Sequence, residues 1–255
     1  MRSVPSFFAA LLFGALLWPL GSAQAGAQPG AQTAPPAPTP NELAMKKQLE
    51  DWPQLRRYRA DNAALAAPAT GVNRVVFFGD SITDNWGRFA GTFFPGKPYV
   101  NRGISGQTTP QMLVRFEQDV IHLHPAAVVI LAGTNDIAGN TGPSTPEMIE
   151  DNFRAMSGIA TQAGIKVILA SILPAYSYPW KPGIQSVAAI REVNQWLKDY
   201  CAKEHLVYLD YYSSMSDEKG AMRPGLASDG VHPTTAGYDV MGPLAEAAIK
   251  QALAR

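Results

Sequence analysis

A serine that leaves an apolar run and enters a polar turn is placed to act as a nucleophile, and Val75-Val76-Phe77-Phe78-Gly79-Asp80-Ser81-Ile82-Thr83 has that form. A hydroxyl attacks poorly by itself. It needs a base to take its proton, a carboxylate to orient that base, and donors for the negative charge that develops on an acyl oxygen. Residue types suited to those tasks occur at Gly103, Asn135, Asp229 and His232. His232 is the expected base. Asp229, three residues before it, can reach the far ring nitrogen and hold the tautomer whose other nitrogen is free to accept a proton. The main-chain N–H groups of Ser81 and Gly103 and the side-chain amide of Asn135 are the expected oxyanion donors, glycine allowing close approach of backbone to substrate. Taken singly, Gly-Asp-Ser, a turn glycine or Asp-x-x-His is what turns and helix caps produce; the combination is what points to catalysis. No further His or carboxylate cluster stands near Asp229 and His232 to complete a metal site, so neither a metal nor an organic cofactor is expected.

Something must bring these distant residues together. Short β-rich runs alternate with longer helical segments, the pattern of a parallel sheet covered on both faces. Strands are expected near residues 74–78, 99–101, 127–132, 166–172 and 206–210. Thr145-Pro146-Glu147 predicts an N-cap with proline in the first turn, opening a helix toward Ala163 that Gly164 stops. Val187, Ile190, Val193 and Leu197 recur at helical spacing within 186–203, and a last helix starts near Thr235. Residues 41–65 read as helical with a break at Pro53. Ser81, Gly103 and Asn135 each follow a strand, and Asp229 with His232 precedes the last helix, so all fall at the carboxyl edge where open parallel sheets bind ligands.

The remaining chain bounds the setting. Residues 1–25 read as a signal peptide, with Arg2, an apolar run from Phe7 to Leu20 and a closing Ala23-Gln24-Ala25, so the product is expected to be exported to periplasm or medium without a stable membrane anchor. Residues 26–40 form a Pro/Ala-rich linker and 41–255 a single domain. Acidic and basic residues number 21 each, which offers no concentrated basic surface for nucleic acid. Cys201, the single cysteine, reads as a small apolar residue on a helix. His122, His124 and His205 lack companions and read as surface groups. Asp80 and Asp136 are expected to support turns by hydrogen bonding, and Thr83 with Asp84 to cap the helix after the serine.

Gly79-Asp80-Ser81-Ile82, Asn101-Arg102-Gly103-Ile104-Ser105-Gly106, Gly133-Thr134-Asn135-Asp136 and Asp229-Gly230-Val231-His232-Pro233 together resemble, in order, the blocks of the SGNH hydrolases, also called GDSL esterases and lipases. The resemblance implies an α/β fold: a flavodoxin-like three-layer α/β/α sandwich with a mostly parallel five-stranded sheet, acting on an ester or thioester. Thr83 departs from the Gly-x-Ser-x-Gly elbow of the α/β-hydrolases. The resemblance further implies a secreted serine esterase that removes short acyl groups, acetyl foremost, from a small ester, an acylated carbohydrate or a lipid. The second block is also similar to that of the platelet-activating factor acetylhydrolases. A lysophospholipase or acyl thioesterase and a catalytically silent carbohydrate-binding protein are the alternatives. Trp86, with Phe89 near it, and the loop aromatics Tyr176, Tyr178 and Trp180 are the expected substrate contacts; packing within the domain is an equal alternative for each.

Overall fold

The computed structural model describes residues 37–255; the expected signal peptide and most of the expected linker lie outside them. The strands are β1 (Val75–Gly79), β2 (Tyr99–Gly103), β3 (Ala127–Leu131), β4 (Lys166–Ala170) and β5 (Val207–Leu209). The helices are α1 (Pro40–Glu50), α2 (Arg59–Ala64), α3 (Ser81–Asp84), α4 (Thr109–Asp119), α5 (Thr134–Ile137), α6 (Pro146–Gln162), α7 (Ser186–Lys203), α8 (Tyr212–Met215) and α9 (Thr235–Leu253). Thr39 and Pro40, placed in the linker by composition, instead open α1, with Thr39 and Glu42 forming a capping box.

All strand pairings are parallel and the spatial order is β2-β1-β3-β4-β5. The chain therefore steps from β1 to one side and then returns to the other, and the reversal opens a crevice at the carboxyl ends of β1 and β3. Both faces of the sheet are apolar because both are covered. Val76, Phe78, Val128 and Ile130 pack with Met112 and Phe116 of α4, Phe153 of α6 and Leu197 of α7. The alternate residues Val75, Phe77 and Val129 pack on the other face with Met241, Ala245 and Ile249 of α9. The period of two along each strand thus feeds two separate cores.

Helix boundaries follow local chemistry. Thr145 caps α6 by accepting from the Met148 N–H, Pro146 occupies the first turn, and Gly164 leaves the helix at φ +76°. Thr108 and Gln111 form a capping box for α4 around Pro110, a signal legible in Thr108-Thr109-Pro110-Gln111.

Arg115 of α4 is fully buried beneath the ends of β1 and β2. Its guanidinium donates to the carbonyls of Gly79 (2.9 Å) and Arg102 (2.8 Å) and to Gln107 Oε1 (2.5 Å), pairs with Asp119 (3.1 Å) and lies over the Phe78 ring. Arg115→Met keeps much of the volume but leaves buried Asp119 without its counter-ion and removes a donor from each of these acceptors, so unfolding in urea is expected to show a loss of about 3–5 kcal/mol, the cost typical of breaking a buried pair. A loss below about 1 kcal/mol would mean that the brace carries no such weight.

Candidate active site

β1 ends at Gly79 and the chain turns at once into a single helical turn. Asp80 caps that turn: its carboxylate accepts from the Ile82 N–H at 2.9 Å, so Asp80, not Thr83 or Asp84, supplies the cap. Asp84 instead binds Arg88 (3.0 Å) and accepts from the hydroxyl of Ser105 (2.6 Å), tying α3 to the loop after β2. Ser81 is thereby fixed at the first helical position, 7 % exposed, at the mouth of the crevice.

His232 reaches it from the opposite side of the chain's course. Its Nε2 lies 2.9 Å from Ser81 Oγ and its Nδ1 lies 2.8 Å from Asp229 Oδ2. The loop that presents both residues is cross-braced: Ser228 N–H donates to the His232 carbonyl at 3.0 Å, and Thr234 N–H to the Leu226 carbonyl at 2.9 Å. Gly230, at φ +84°, supplies the left-handed residue that lets Asp229 curl back. Asp229 Oδ1 then accepts from the N–H groups of Val231 (3.0 Å) and His232 (2.8 Å). Partial burial raises the Asp229 pKa, but the hydrogen bonds from His232 and Val231 outweigh it and leave the carboxyl below its ordinary value. A charged Asp229 favours the proton on Nδ1 and leaves Nε2 to accept from the serine hydroxyl.

Asn135 follows β3 on α5 and is buried in the same floor. Its Nδ2 donates to the Gln107 carbonyl (3.0 Å) and Asp80 Oδ2 (3.3 Å), while its Oδ1 accepts from Asn140 Nδ2 (2.8 Å). Gly103 occupies a different role from the expected one. Its N–H donates to Asn101 Oδ1 at 2.9 Å, its carbonyl accepts from the Tyr58 hydroxyl, and a Cβ there would strike the backbone of Thr83 and Asp84. It is a contact glycine against α3, with its donor already used. Three residues on, Gly106 turns the chain at φ +80° with open space around it, and its carbonyl accepts from Asn140 Nδ2 at 3.3 Å. Among the described residues, neither the Ser81 nor the Gly106 N–H donates to another protein group.

The aromatic expectations divide. Trp86 is 4 % exposed and packs with Phe77, Phe93, Phe94 and Tyr238, so it belongs to the core. Tyr178 is 1 % exposed and lies beneath Trp180. Trp180, 37 % exposed, has its ring centroid 5.7 Å from that of His232 and faces the site. Tyr176 is exposed, with no contact to the triad among the described interactions. Asn140 and Gln107 escaped the sequence reading, and Gly106, part of the second block, is assigned no role by it. Gly106 and Gln107 carried a readable sign, a polar glycine turn after a strand; Asn140 carried none beyond its place in the Gly139-Asn140-Thr141-Gly142 turn.

The model of the GDSL-like lipase/acylhydrolase family matches residues 77–240. The chain belongs to that family. Its reaction class is accordingly that of a carboxylic ester hydrolase. A GDSL-like lipase of Bacteroides thetaiotaomicron shares 44% identity and superposes with a TM-score of 0.74, covering 79% of this chain and 98% of that one. A Bacteroides fragilis protein provisionally assigned as an acylhydrolase shares 45% identity at a TM-score of 0.77, over 80% and 99% of the two chains. An acetyl-xylooligosaccharide esterase of a Geobacillus has the same fold at 21% identity and a TM-score of 0.55, over 72% and 95% of the two chains. In sequence, the uncharacterized lipoprotein YqeF of Bacillus subtilis is 32% identical over 122 residues, 41% of this chain and 50% of that protein, so the match spans half of the curated relative.

Beside the triad, burial pushes the carboxyl of Asp80 up to about 7, against the opposing hydrogen bond from Ile82. Burial likewise pushes Asp136, which accepts from the N–H and hydroxyl of Thr109, up to about 6. A carboxyl whose folded value exceeds its unfolded value holds its proton more tightly when folded, so stability falls as pH rises between the two. Thermal melts of Asp136→Asn and wild type should therefore differ in slope: from about pH 4 to about pH 6, wild type loses stability relative to the variant. A constant difference across that range would remove the assignment.

Proposed function

We propose that the protein is an exported serine esterase that cleaves short acyl groups, acetyl foremost, from a hydroxyl-rich alcohol such as a carbohydrate. The observation that carries the proposal is the continuous Ser81–His232–Asp229 chain, with bonds of 2.9 and 2.8 Å, set at the sheet's topological reversal. Ser81 Oγ attacks the acyl carbon while His232 Nε2 takes its proton. The tetrahedral oxygen is held by the Ser81 N–H, the Gly106 N–H in place of that of Gly103, and Asn135 Nδ2. The longer of the Asn135 contacts, 3.3 Å to Asp80, is the one an oxyanion displaces. As the intermediate collapses, the ester C–O bond breaks and His232 returns its proton to the departing alcohol. Water, deprotonated by His232, then attacks the acyl-enzyme, releasing the carboxylic acid and restoring Ser81.

Two features support the choice of substrate. The groups bonded around Ser81 are polar: Asp80, Asn135 and the Gln107 carbonyl, with Asn140 beyond them. Such a floor suits a small acyl group better than a long chain, and the partly exposed Trp180 ring beside His232 suits the apolar face of a sugar ring. The fold shared with an acetyl-xylooligosaccharide esterase is in keeping with this reading. Export is supported by the apolar leader in the sequence and the likeness to a lipoprotein, and no helix among the described residues is long and apolar enough to cross a membrane.

Purified protein is expected to release p-nitrophenol from the acetate ester faster than from long-chain esters and to deacetylate acetylated oligosaccharides. Ser81→Ala should abolish both activities with little change in melting temperature, and Asn135→Ala should lower kcat by on the order of 100- to 1000-fold. A preference for long acyl chains or acyl thioesters would replace the proposed substrate; an inert wild-type protein whose Ser81 also fails to react with a serine-directed phosphonate would replace catalysis by binding.

A further inference from the structure

The loop that carries Trp180 is linked to Asn135 by an ordered series of hydrogen bonds. Trp180 Nε1 donates to Asn140 Oδ1 at 3.1 Å, and Asn140 Nδ2 donates onward to Asn135 Oδ1 at 2.8 Å and to the Gly106 carbonyl at 3.3 Å. The Asn140 N–H also donates to the Asn135 carbonyl at 3.0 Å. The turn itself is pinned: Gly139 N–H donates to the Asp136 carbonyl (2.8 Å), Gly142 N–H to the Gly139 carbonyl (3.2 Å), and Thr141 Oγ1 meets Thr108 Oγ1 at 3.0 Å. Asn140 is thus held against both halves of the oxyanion site, the Gly106 turn and Asn135.

We propose that Asn140 is a positioning residue that, together with the Gln107 carbonyl on the opposite end, fixes which end of the Asn135 amide faces the reacting carbonyl, with Trp180 setting Asn140 in turn. The inference rests on the esterase reading and adds a control to it. A primary amide has an acceptor end and a donor end of nearly equal size, and a rotation of 180° exchanges them. The exchange would aim Asn135 Oδ1 at the developing oxyanion, replacing attraction by repulsion. Directionality comes from groups that cannot reverse: the Trp180 indole N–H only donates, and the Gly106 and Gln107 carbonyls only accept. Asn140 receives the first on its oxygen and gives its own N–H to Asn135, so Asn135 Nδ2 is left toward Asp80 and the serine side. Because the Trp180 ring also lies 5.7 Å from the ring of His232, a sugar ring seated on the indole bears on the same link. Alcohol recognition and oxyanion stabilisation thereby share one hydrogen-bonded connection.

Asn140→Asp separates direction from shape. Aspartate has the same outline and still accepts from Trp180, but when ionised has no donor for Asn135. Its kcat on p-nitrophenyl acetate is expected to fall on the order of 100-fold with little change in KM, as for a lost oxyanion donor. Asn140→Leu, which adds no charge, should fall on the order of tenfold, and Trp180→Phe by less, because the Gly106 carbonyl still orients Asn140. If both Asn140 variants keep kcat within about threefold of wild type, the proposal is overturned; a change confined to KM or melting temperature would also overturn it, as a purely structural role. A second reading is independent of turnover: the side-chain amide resonances of Asn135, assigned by their loss in Asn135→Ala. They should shift in Asn140→Leu and stay in place in Lys198→Ala, a change to an exposed residue of α7. Unmoved resonances in Asn140→Leu would overturn the link even if wild type proved inactive on every ester, whereas such inactivity with shifted resonances would overturn the esterase reading alone.

Discussion

One buried cation sets the frame on which the site depends. Arg115 could not be buried without partners for its whole donor fork, and it finds them where β1 and β2 end: two carbonyls, the side chain of Gln107 and the carboxylate of Asp119. The main-chain oxygens of Gly79, which also accepts from the Ile104 N–H at 3.0 Å, and of Arg102 each take a guanidinium N–H where the two strands end. Gln107 is oriented by the same contact. Its Nε2 then donates to the Pro53 carbonyl at 2.8 Å and its own carbonyl receives Asn135 Nδ2 at 3.0 Å. A single helix residue therefore links the strand before Ser81, the loop containing Gly106 and the amide of Asn135. Precision at the surface of the site derives from an ion buried beneath it.

The second constraint is the sheet reversal. Parallel strands ending on one edge bring Ser81 and Asn135 together automatically, because each follows one of two neighbouring strands, β1 and β3, at matched register. His232 and Asp229 need a different device, since they precede a helix without following a strand. Their loop supplies its own order through Gly230 and the two N–H groups on Asp229 Oδ1. Ser81 is thus placed by long-range sheet geometry, and His232 and Asp229 by local turn chemistry.

This division explains what could be read from the sequence. The strand positions, the starts of α6, α7 and α9 and the grouping of Ser81, Asn135, Asp229 and His232 rest on periodicity, caps and strand ends, all of which are local signals. Gly103 and Gly106 are both glycines in one loop, and their difference is tertiary: α3 packs on the first, while the second stands in open space. The fate of Trp86 was equally invisible, because its position after the serine fits a substrate wall as well as the Phe77–Tyr238 aromatic cluster that encloses it. Asn140 has no local mark of function. Its meaning lies entirely in partners 5, 34 and 40 residues away.

Two carboxyls near Ser81 show how environment assigns opposite work to one functional group. Asp229 is partly exposed and collects three N–H donors from His232 and Val231, so its charge is stabilised and available to the imidazole. Asp80 is buried, with one main-chain donor and the longer amide contact from Asn135, and burial resists its charge. In the proposed reaction a full charge there would oppose an oxyanion growing beside Ser81, whereas a charge on Asp229 lies behind His232 and would support the imidazolium formed at the same moment. The strand-end cap requires a short acceptor at position 80, and the proposed triad requires a charged one at 229. Differential burial lets the chain use aspartate for both without placing two equal anions beside the Ser81–His232 pair.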